Sequence, residues 1–250
     1  MVTSIGCRYA SLADLRVHPT GTAVHWLSPA ERQAWGQMRS PERRATWLGG
    51  RVLAKQLLRE CLSDVASQGE ELTPEEIHIE SRSSVSGLGE RPSVFASGRA
   101  LACALSIAHT SRGVLAAVAT EPGVALGVDL VSPGDLRPAS LEWCFTPAER
   151  RLLAEAPAHG RMAERLWAMK EAVYKACQQG EGFAPQRIEV APDSRGHCRN
   201  FDTTQVLRNL QCWRIDGQIA ALAVAVRPVI GVADAIERKT AIRARIRTST

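Results

Sequence analysis

The residues of this chain best suited to chemistry are two carboxylates and one lysine. Asp129 stands inside an apolar run, residues 124–131, and Glu171 and Lys175 stand four residues apart in the segment 167–175. A carboxylate in an apolar strand is costly unless it is paired, hydrated or bound to a cation. Mg²⁺ takes one or two carboxylates and completes its octahedron with water and phosphate oxygens. The pattern therefore indicates a site in which Asp129 and Glu171 bind one hard cation carrying a phosphate ligand.

Each of these residues also has a simpler interpretation, which spacing alone leaves open. Glu171 and Lys175 share one face of a helix, and such a pair adds only a few tenths of a kcal/mol to a solvated helix. Asp129 would equally serve to cap the turn that begins at Ser132. The apolar surroundings of Asp129 favour the cation.

The elements that must position these residues occur twice along the chain. Residues 28–31 and 146–149 each combine a hydroxyl N-cap, a proline and a glutamate three residues after the cap, which is the signature of a helix start. A longer helix, a short strand and a hairpin follow each of them. The repeated order predicts two similar halves, residues 1–122 and 123–228, with a site between them. Residues 229–250 form a basic tail that is predicted to be solvated.

The periodicity also predicts the individual elements. The first long helix begins near Ser40 and carries basic residues on its outer faces, which suit either solvent or an anion. A short strand is predicted at 77–80 and a buried strand at 124–131. Two hairpins are predicted, at 102–107 with 114–120 and at 211–215 with 219–226.

Composition and charge bound the class of protein. The chain has 250 residues, 45% of them hydrophobic, and a formal net charge of +5, concentrated in the tail. No run reaches the roughly 18 apolar residues of a membrane helix, no signal peptide is recognisable, and seven scattered cysteines lack metal-site spacing. We expect a cytoplasmic protein with reduced thiols, which binds neither membrane nor nucleic acid.

The paired motifs resemble a known family. Gly127-Val128-Asp129, followed by Trp167-x-x-Lys170-Glu171-Ala172-x-x-Lys175, is similar to the signature of the 4′-phosphopantetheinyl transferases of the surfactin-synthetase-activating type. The resemblance extends from about residue 27 to 226. It implies a monomeric, pseudo-dimeric α+β fold, in which each half packs a long helix on a small antiparallel sheet and coenzyme A lies between the halves. It also implies an Mg²⁺-dependent transfer of the phosphopantetheine arm to a serine of an acyl or peptidyl carrier protein, with release of adenosine 3′,5′-bisphosphate.

The resemblance also implies a role for each site residue. Asp129 and Glu171 would hold Mg²⁺, Glu171 or a water molecule that it orients would take the serine proton, and Lys175 would stabilise the departing phosphate. The remaining candidates would bind coenzyme A, and three of them, Arg44, Arg51 and Lys55, would bind its 3′-phosphate. The full set of coenzyme A contacts implied in this way is His109, Arg91, Arg44, Arg51, Lys55 and Lys170.

Two positions depart from the family pattern. Val131 stands where many members have a second acid, and Ala108 stands where a serine commonly precedes the histidine. These losses leave an alternative open, a degenerate module that binds coenzyme A or a carrier protein without turnover. A further alternative, with little support in the sequence, is a nucleic-acid binder that uses the basic tail.

Overall fold

The structure is a computed structural model. The residues that it describes are 5–17, 23–63, 72–81, 91–136, 141–156, 161–177, 182–190, 198–199, 206–226 and 245–248.

Five α-helices lie in the described part of the chain, and two of them begin at the predicted caps. The side chains of Ser28 and Thr146 each accept a hydrogen bond from the backbone N–H of the glutamate three residues on, and that glutamate binds the N-cap N–H in return. Both capping boxes predicted from sequence are therefore confirmed. The helices are α1 (Pro29–Gln37), α2 (Pro41–Ser63), α3 (Leu141–Cys144), α4 (Pro147–Glu155) and α5 (Met162–Cys177).

The described strands form two larger sheets and two small ones. The strands of the first large sheet are β1 (Ile5–Ser11), β5 (Ala104–His109), β6 (Gly113–Ala119) and β12 (Arg245–Thr248), and those of the second are β7 (Val124–Val131), β10 (Val206–Ile215) and β11 (Gln218–Val226). The small sheets contain β2 (Ile77–Glu80), β3 (Ser93–Ala96) and β4 (Arg99–Ala100) in one, and β8 (Glu189–Val190) and β9 (Cys198–Arg199) in the other.

The two larger sheets share one strand order. Strands β1, β6 and β5 are neighbours in that order and antiparallel, as are β7, β11 and β10. In the first sheet β1 pairs with β6, the second strand of the β5–β6 hairpin, and in the second sheet β7 pairs with β11, the second strand of the β10–β11 hairpin. In each sheet a capped helix, a long helix and a short strand lie between the two paired strands in sequence. The α+β class predicted from the sequence is confirmed.

The core lies in three layers between the two long helices. Apolar residues of α2 such as Leu53 pack against one face of β6, where Ala116 and Val118 are fully buried. The opposite face of that sheet packs against β7 and β11, and α5 covers the far face of the second sheet. The order of the elements is therefore α2, first sheet, second sheet, α5.

The strands β5 and β7 lie side by side where the two sheets meet. The backbone N–H of Val128 donates a 3.0 Å hydrogen bond to the buried hydroxyl of Ser106. Because β5 and β7 are outer strands of their sheets, their junction leaves an open edge bordered by α2 on one side and α5 on the other. The candidate site lies at this edge.

Some elements differ from the sequence predictions. The tail was expected to be solvated or frayed, but Arg245–Thr248 forms β12, which pairs in parallel with β1. Residues 227–244, which include most of that tail, lie outside the described residues. The strands β3 and β4 and the short helix α3 were not predicted. No helix in the described ranges is long and apolar enough to cross a membrane.

Candidate active site

The candidate site lies beside the close contact of α5 with β7. This contact requires glycine at position 127. A Cβ atom added to Gly127 would overlap the carbonyl oxygen of Ala172 and lie 2.5 Å from the nitrogen of Ala176. Only a residue without a side chain allows the helix to approach the strand so closely. Asp129 lies two residues further along β7 and points to the same side, toward α5.

Asp129, Glu171 and Lys175 converge beside this contact. The ammonium of Lys175 lies 2.7 Å from an oxygen of Asp129 and 3.1 Å from an oxygen of Glu171. Asp129 is only 6% exposed, whereas Glu171 and Lys175 are partly exposed. The two carboxylates therefore face a common point, which a cationic group occupies.

The electrostatics of this cluster favour a cation near the two acids. Burial raises the pKa of Asp129, Lys175 opposes that effect and Glu171 adds to it, and together they raise this pKa to about 7. Burial alone would lower the pKa of Lys175, but the two carboxylates outweigh it, so that pKa is raised. Lys175 is thus held in its charged form, while the crowded Asp129 carboxylate gains from any additional positive charge.

The donor set fits Mg²⁺ with phosphate and water as further ligands. Among the described residues, no group of three or more His, Cys, Asp and Glu side chains is placed to hold a metal. Asp129 and Glu171 would supply two oxygens, which is the number of carboxylates typical of Mg²⁺ sites that also bind a substrate phosphate. The Lys175 ammonium lies within 3.1 Å of both carboxylates. A cation at that position therefore contacts Asp129 and Glu171 together.

A cavity of about 710 Å³ extends from this cluster along the junction of β5 with α2 and α5. A second cavity, of about 360 Å³, contains Asp129 and Glu171. The two cavities share Ile107, His109 and Lys175 in their walls, so the larger one opens at its α5 end onto the acidic cluster. The volume of the larger cavity lies within the range of small-molecule sites in proteins.

Several cationic side chains line the larger cavity, as a phosphate-bearing ligand requires. Arg43, Arg51 and Arg91 lie in its wall together with His109 and Lys175. The guanidinium of Arg51 lies over the ring of Trp47 and donates a 2.9 Å hydrogen bond to the hydroxyl of Ser81. Burial lowers the pKa of Arg51 to about 10, so it stays charged at neutral pH.

Arg91 connects the first half of the chain to the end of α5. Its guanidinium donates hydrogen bonds to the carbonyl oxygens of Lys175, at 3.3 Å, and Ala176, at 2.5 Å. These carbonyls belong to the last turn of α5, where a cation also complements the helix dipole. Arg91 therefore fixes the end of the helix that carries Lys175, besides lining the cavity.

His109 lies at the boundary between the two cavities, at the end of β5. Its side chain faces the cavity. Loss of hydration within the surrounding protein lowers the pKa of its imidazole, and the cations Lys175 and Arg43 lower it further. The ring is therefore neutral at pH 7 and can both donate and accept a hydrogen bond.

The structure does not bring all the sequence candidates to the cavities. Lys55 and Lys170 are fully buried, and neither belongs to the described walls of the two cavities. The ammonium of Lys55 lies 2.5 Å from Glu31, and that of Lys170 lies 2.5 Å from Glu149. Neither lysine is placed to bind a phosphate without leaving its glutamate.

Arg43, and not the predicted Arg44, lines the larger cavity. The guanidinium of Arg44 lies 3.9 Å over the ring of Trp35 and away from the described cavity walls, whereas Arg43 lines the larger cavity. Arg43 shares its helix face with Trp47 and Gly50, at intervals of four and seven residues. Arg44 stands at equally helical intervals from Trp47 and Arg51, so the sequence alone could not have selected Arg43.

Comparison with known proteins relates part of this chain to a family. Residues 125–226 match the model of the 4′-phosphopantetheinyl transferase superfamily. The match is less than half of the chain, and it includes β7, α5 and the three residues Asp129, Glu171 and Lys175. No curated protein matches the sequence.

Solved structures similar to part of the chain come from the same class of protein. An ACPS–CoA complex from Chronobacterium ammoniagenes is 26% identical, with 42% of this chain and 98% of that chain covered and a TM-score of 0.35. The apo-ACPS structure from that organism gives 25% identity, the same coverage and a TM-score of 0.36. Holo-[acyl-carrier-protein] synthase from Thermotoga maritima is 18% identical, with 42% of this chain and 64% of that chain covered and a TM-score of 0.36. These TM-scores are too low to establish a shared overall fold.

Proposed function

We propose that this protein is a 4′-phosphopantetheinyl transferase, which moves the phosphopantetheine arm of coenzyme A to a serine of an acyl or peptidyl carrier protein. The observation that carries the proposal is the convergence of Asp129, Glu171 and Lys175 at one end of a cation-lined cavity. The family model that covers residues 125–226 supports the same assignment.

Different side chains of the cavity would bind the 3′-phosphate and the diphosphate of coenzyme A. Arg43 and Arg51 on α2 would bind the 3′-phosphate, since a guanidinium binds phosphate through paired hydrogen bonds. His109 and Arg91 would contact the nucleotide phosphates nearer to α5. In this assignment Asp129 and Glu171 hold Mg²⁺, which would neutralise charge on the diphosphate.

The residues of the chain would then promote the transfer as follows. Glu171, or a water molecule that it orients, accepts the proton of the carrier serine. The serine oxygen forms a bond to the phosphorus that bears the pantetheine arm, and the bond from that phosphorus to the bridging oxygen breaks. The bridging oxygen leaves on adenosine 3′,5′-bisphosphate, and Lys175 stabilises its negative charge.

We also propose that the chain is a fusion of two related halves that acts as a monomer. The common strand order of the two large sheets and the two capping boxes support this proposal. In this arrangement α2 of the first half supplies the nucleotide contacts, and β7 and α5 of the second half supply the catalytic residues. One chain then contains a complete site.

Incubation with coenzyme A, Mg²⁺ and an apo carrier protein tests the function directly. We expect the carrier to gain the mass of one phosphopantetheine group and adenosine 3′,5′-bisphosphate to appear in equal amount. Carriers of fatty-acid, polyketide and peptide synthesis should be compared, each with a serine-to-alanine control carrier. Unchanged mass for all of them would contradict the proposal, and tight coenzyme A binding without transfer would instead identify a binding module.

Val131→Glu is expected to lower the Mg²⁺ concentration needed for half-maximal activity. Val131 lies two residues after Asp129 on the same side of β7 and lines the cavity that contains Asp129 and Glu171, so a carboxylate there adds a third acidic ligand. Metal titrations of the transfer reaction measure the effect, with Val131→Gln, which has similar size and no charge, as the control. Superimposable titration curves for wild type and Val131→Glu would refute the expectation.

A further inference from the structure

A buried lysine–glutamate pair joins the helices of each half. In the second half, Glu149 of α4 accepts hydrogen bonds from the backbone N–H of Thr146, at 2.9 Å, and of Val190, at 2.9 Å. The ammonium of Lys170 lies 2.5 Å from the same carboxylate and donates a 2.8 Å hydrogen bond to the carbonyl of Pro185. Both side chains are fully buried. The pair therefore ties α5 to the start of α4, to β8 and to the turn at residue 185.

The first half contains the same set of contacts. Glu31 of α1 accepts hydrogen bonds from the backbone N–H of Ser28, at 2.8 Å, and of Ile79, at 3.1 Å. The ammonium of Lys55 lies 2.5 Å from Glu31 and donates a 3.0 Å hydrogen bond to the carbonyl of Pro74. Four partners correspond: a capping glutamate, a lysine of the long helix, a proline carbonyl and the backbone of a short strand. Lys55 has one further acceptor, the carbonyl of Trp26, at 2.8 Å.

The two pairs stand next to different parts of the site. Glu171 directly follows Lys170, about 100° further round α5, and faces Asp129 through Lys175. In the first half, Glu31 also lies 3.4 Å from the guanidinium of Arg51, which lines the larger cavity. Each pair is thus directly connected to a side chain of the candidate site. Lys170 is adjacent in sequence to Glu171, and Glu31 forms an ion pair with Arg51.

We infer that Lys170 and Lys55 are positioning residues, Lys170 fixing Glu171 for metal binding and proton transfer, and Lys55 fixing Arg51 for the 3′-phosphate. The inference rests on the proposed function and assigns to both lysines a role other than direct contact with phosphate. A buried ion pair with every partner satisfied holds its helix in one rotation, because any other rotation leaves a charge buried without a partner. Residues that orient ligand-binding groups in this way affect affinity or activity by about 10–100-fold when they are lost.

Lys170→Met and Lys55→Met form a matched pair of variants for the test. Both remove a fully buried ammonium from a capping glutamate and a proline carbonyl, so both are expected to lower the thermal unfolding temperature. The roles separate in function. For Lys170→Met we expect kcat and Mn²⁺ affinity, measured by electron paramagnetic resonance, to fall by about 10-fold or more, with binding of adenosine 3′,5′-bisphosphate within about twofold of wild type. For Lys55→Met we expect the reverse pattern, with weaker bisphosphate binding by calorimetry and a higher KM for coenzyme A.

A variant of unchanged side-chain size keeps the test decisive if the methionine proteins do not fold. Glu149→Gln retains the shape of the capping residue but removes its charge and one of the two oxygens that accept hydrogen bonds from Lys170 and the backbone. It is expected to reduce kcat in the same direction as Lys170→Met. Equal losses of kcat, Mn²⁺ binding and bisphosphate binding in both lysine variants would overturn the inference, because a purely structural role predicts no separation. Direct phosphate binding by Lys170 would appear as a loss of bisphosphate or coenzyme A affinity in Lys170→Met and would also overturn it.

The binding measurements keep this inference distinct from the proposed function. A wild-type protein that binds Mn²⁺ and the bisphosphate but modifies no carrier would contradict the transferase, while the two variants would still separate or fail to separate in binding. A wild-type protein that binds neither would contradict both.

Discussion

Glu171→Gln is expected to lower kcat for phosphopantetheine transfer by about 10²–10⁴-fold. The substitution keeps the shape of the side chain but removes both the charge that would hold Mg²⁺ and the base that would receive the serine proton. Glu171 is partly exposed and is joined to the protein through Lys175, which also binds Asp129. The fold should therefore survive, and the thermal unfolding temperature should stay close to that of wild type.

The control for this variant is Glu164→Gln. Glu164 lies on the same helix seven residues earlier, about 10 Å along the axis, and pairs with Arg161. Its replacement should leave kcat within about twofold of wild type, since it removes only a partly exposed ion pair. Wild-type kcat in Glu171→Gln under saturating coenzyme A and Mg²⁺ would rule out Glu171 as base and metal ligand together.

Gly127→Ala is expected to destabilise the protein and to abolish most of its activity. The added Cβ would overlap the backbone of α5 at Ala172 and Ala176, and backbone atoms cannot move aside as a flexible side chain can. Overpacking of this kind costs typically about 1–3 kcal/mol and sometimes more, and we expect the upper end of that range. The displaced helix would also move Glu171 and Lys175 away from Asp129, so transfer should fall even where the protein stays folded.

Denaturant unfolding with Gly36→Ala as the control measures this effect. A Cβ at Gly36 meets no atom of the described residues within 4 Å, and alanine is favoured over glycine in a helix such as α1. Gly36→Ala should therefore match or exceed wild type in free energy of unfolding. Equal stability of Gly127→Ala and Gly36→Ala would show that α5 does not pack on β7 as closely as described.

The cluster of Asp129, Glu171 and Lys175 could be predicted because its signals are local. Asp129 is the one acid in the apolar segment 124–131, and the spacing of four residues places Glu171 and Lys175 on one face of a helix. The capping boxes at Ser28 and Thr146 are likewise contained within four residues. The structure brings the first three together by packing α5 on Gly127, a contact that the sequence marks only by a glycine inside a strand.

The contacts of Lys55 and Lys170 could not be predicted from the local sequence. Whether a lysine on a helix faces phosphate or a buried glutamate depends on which face of that helix meets the core. The partners of Lys170 lie on α4 and in the turn at Pro185, so they are known only after the chain has folded. The sequence does show that a capping glutamate followed by a lysine of the next long helix occurs twice, as Glu31 with Lys55 and as Glu149 with Lys170.

In the C-terminal tail, a local signal for a strand is present, but the prediction followed the basic charge instead. Residues 245–248 alternate between arginine and smaller or apolar residues, which is the period of a strand. The abundance of basic residues favoured a solvated terminus. The pairing of β12 with β1 follows the alternation instead.

A crystal structure with coenzyme A and Mn²⁺ tests the central claim most directly. The anomalous signal of Mn²⁺ locates the ion independently of the fitted ligand. We predict one peak bound by oxygens of Asp129 and Glu171 and by the diphosphate, with the Lys175 ammonium displaced from between the carboxylates onto a phosphate oxygen. A peak elsewhere, or coenzyme A bound with Lys175 still bridging both carboxylates, would contradict the proposed site.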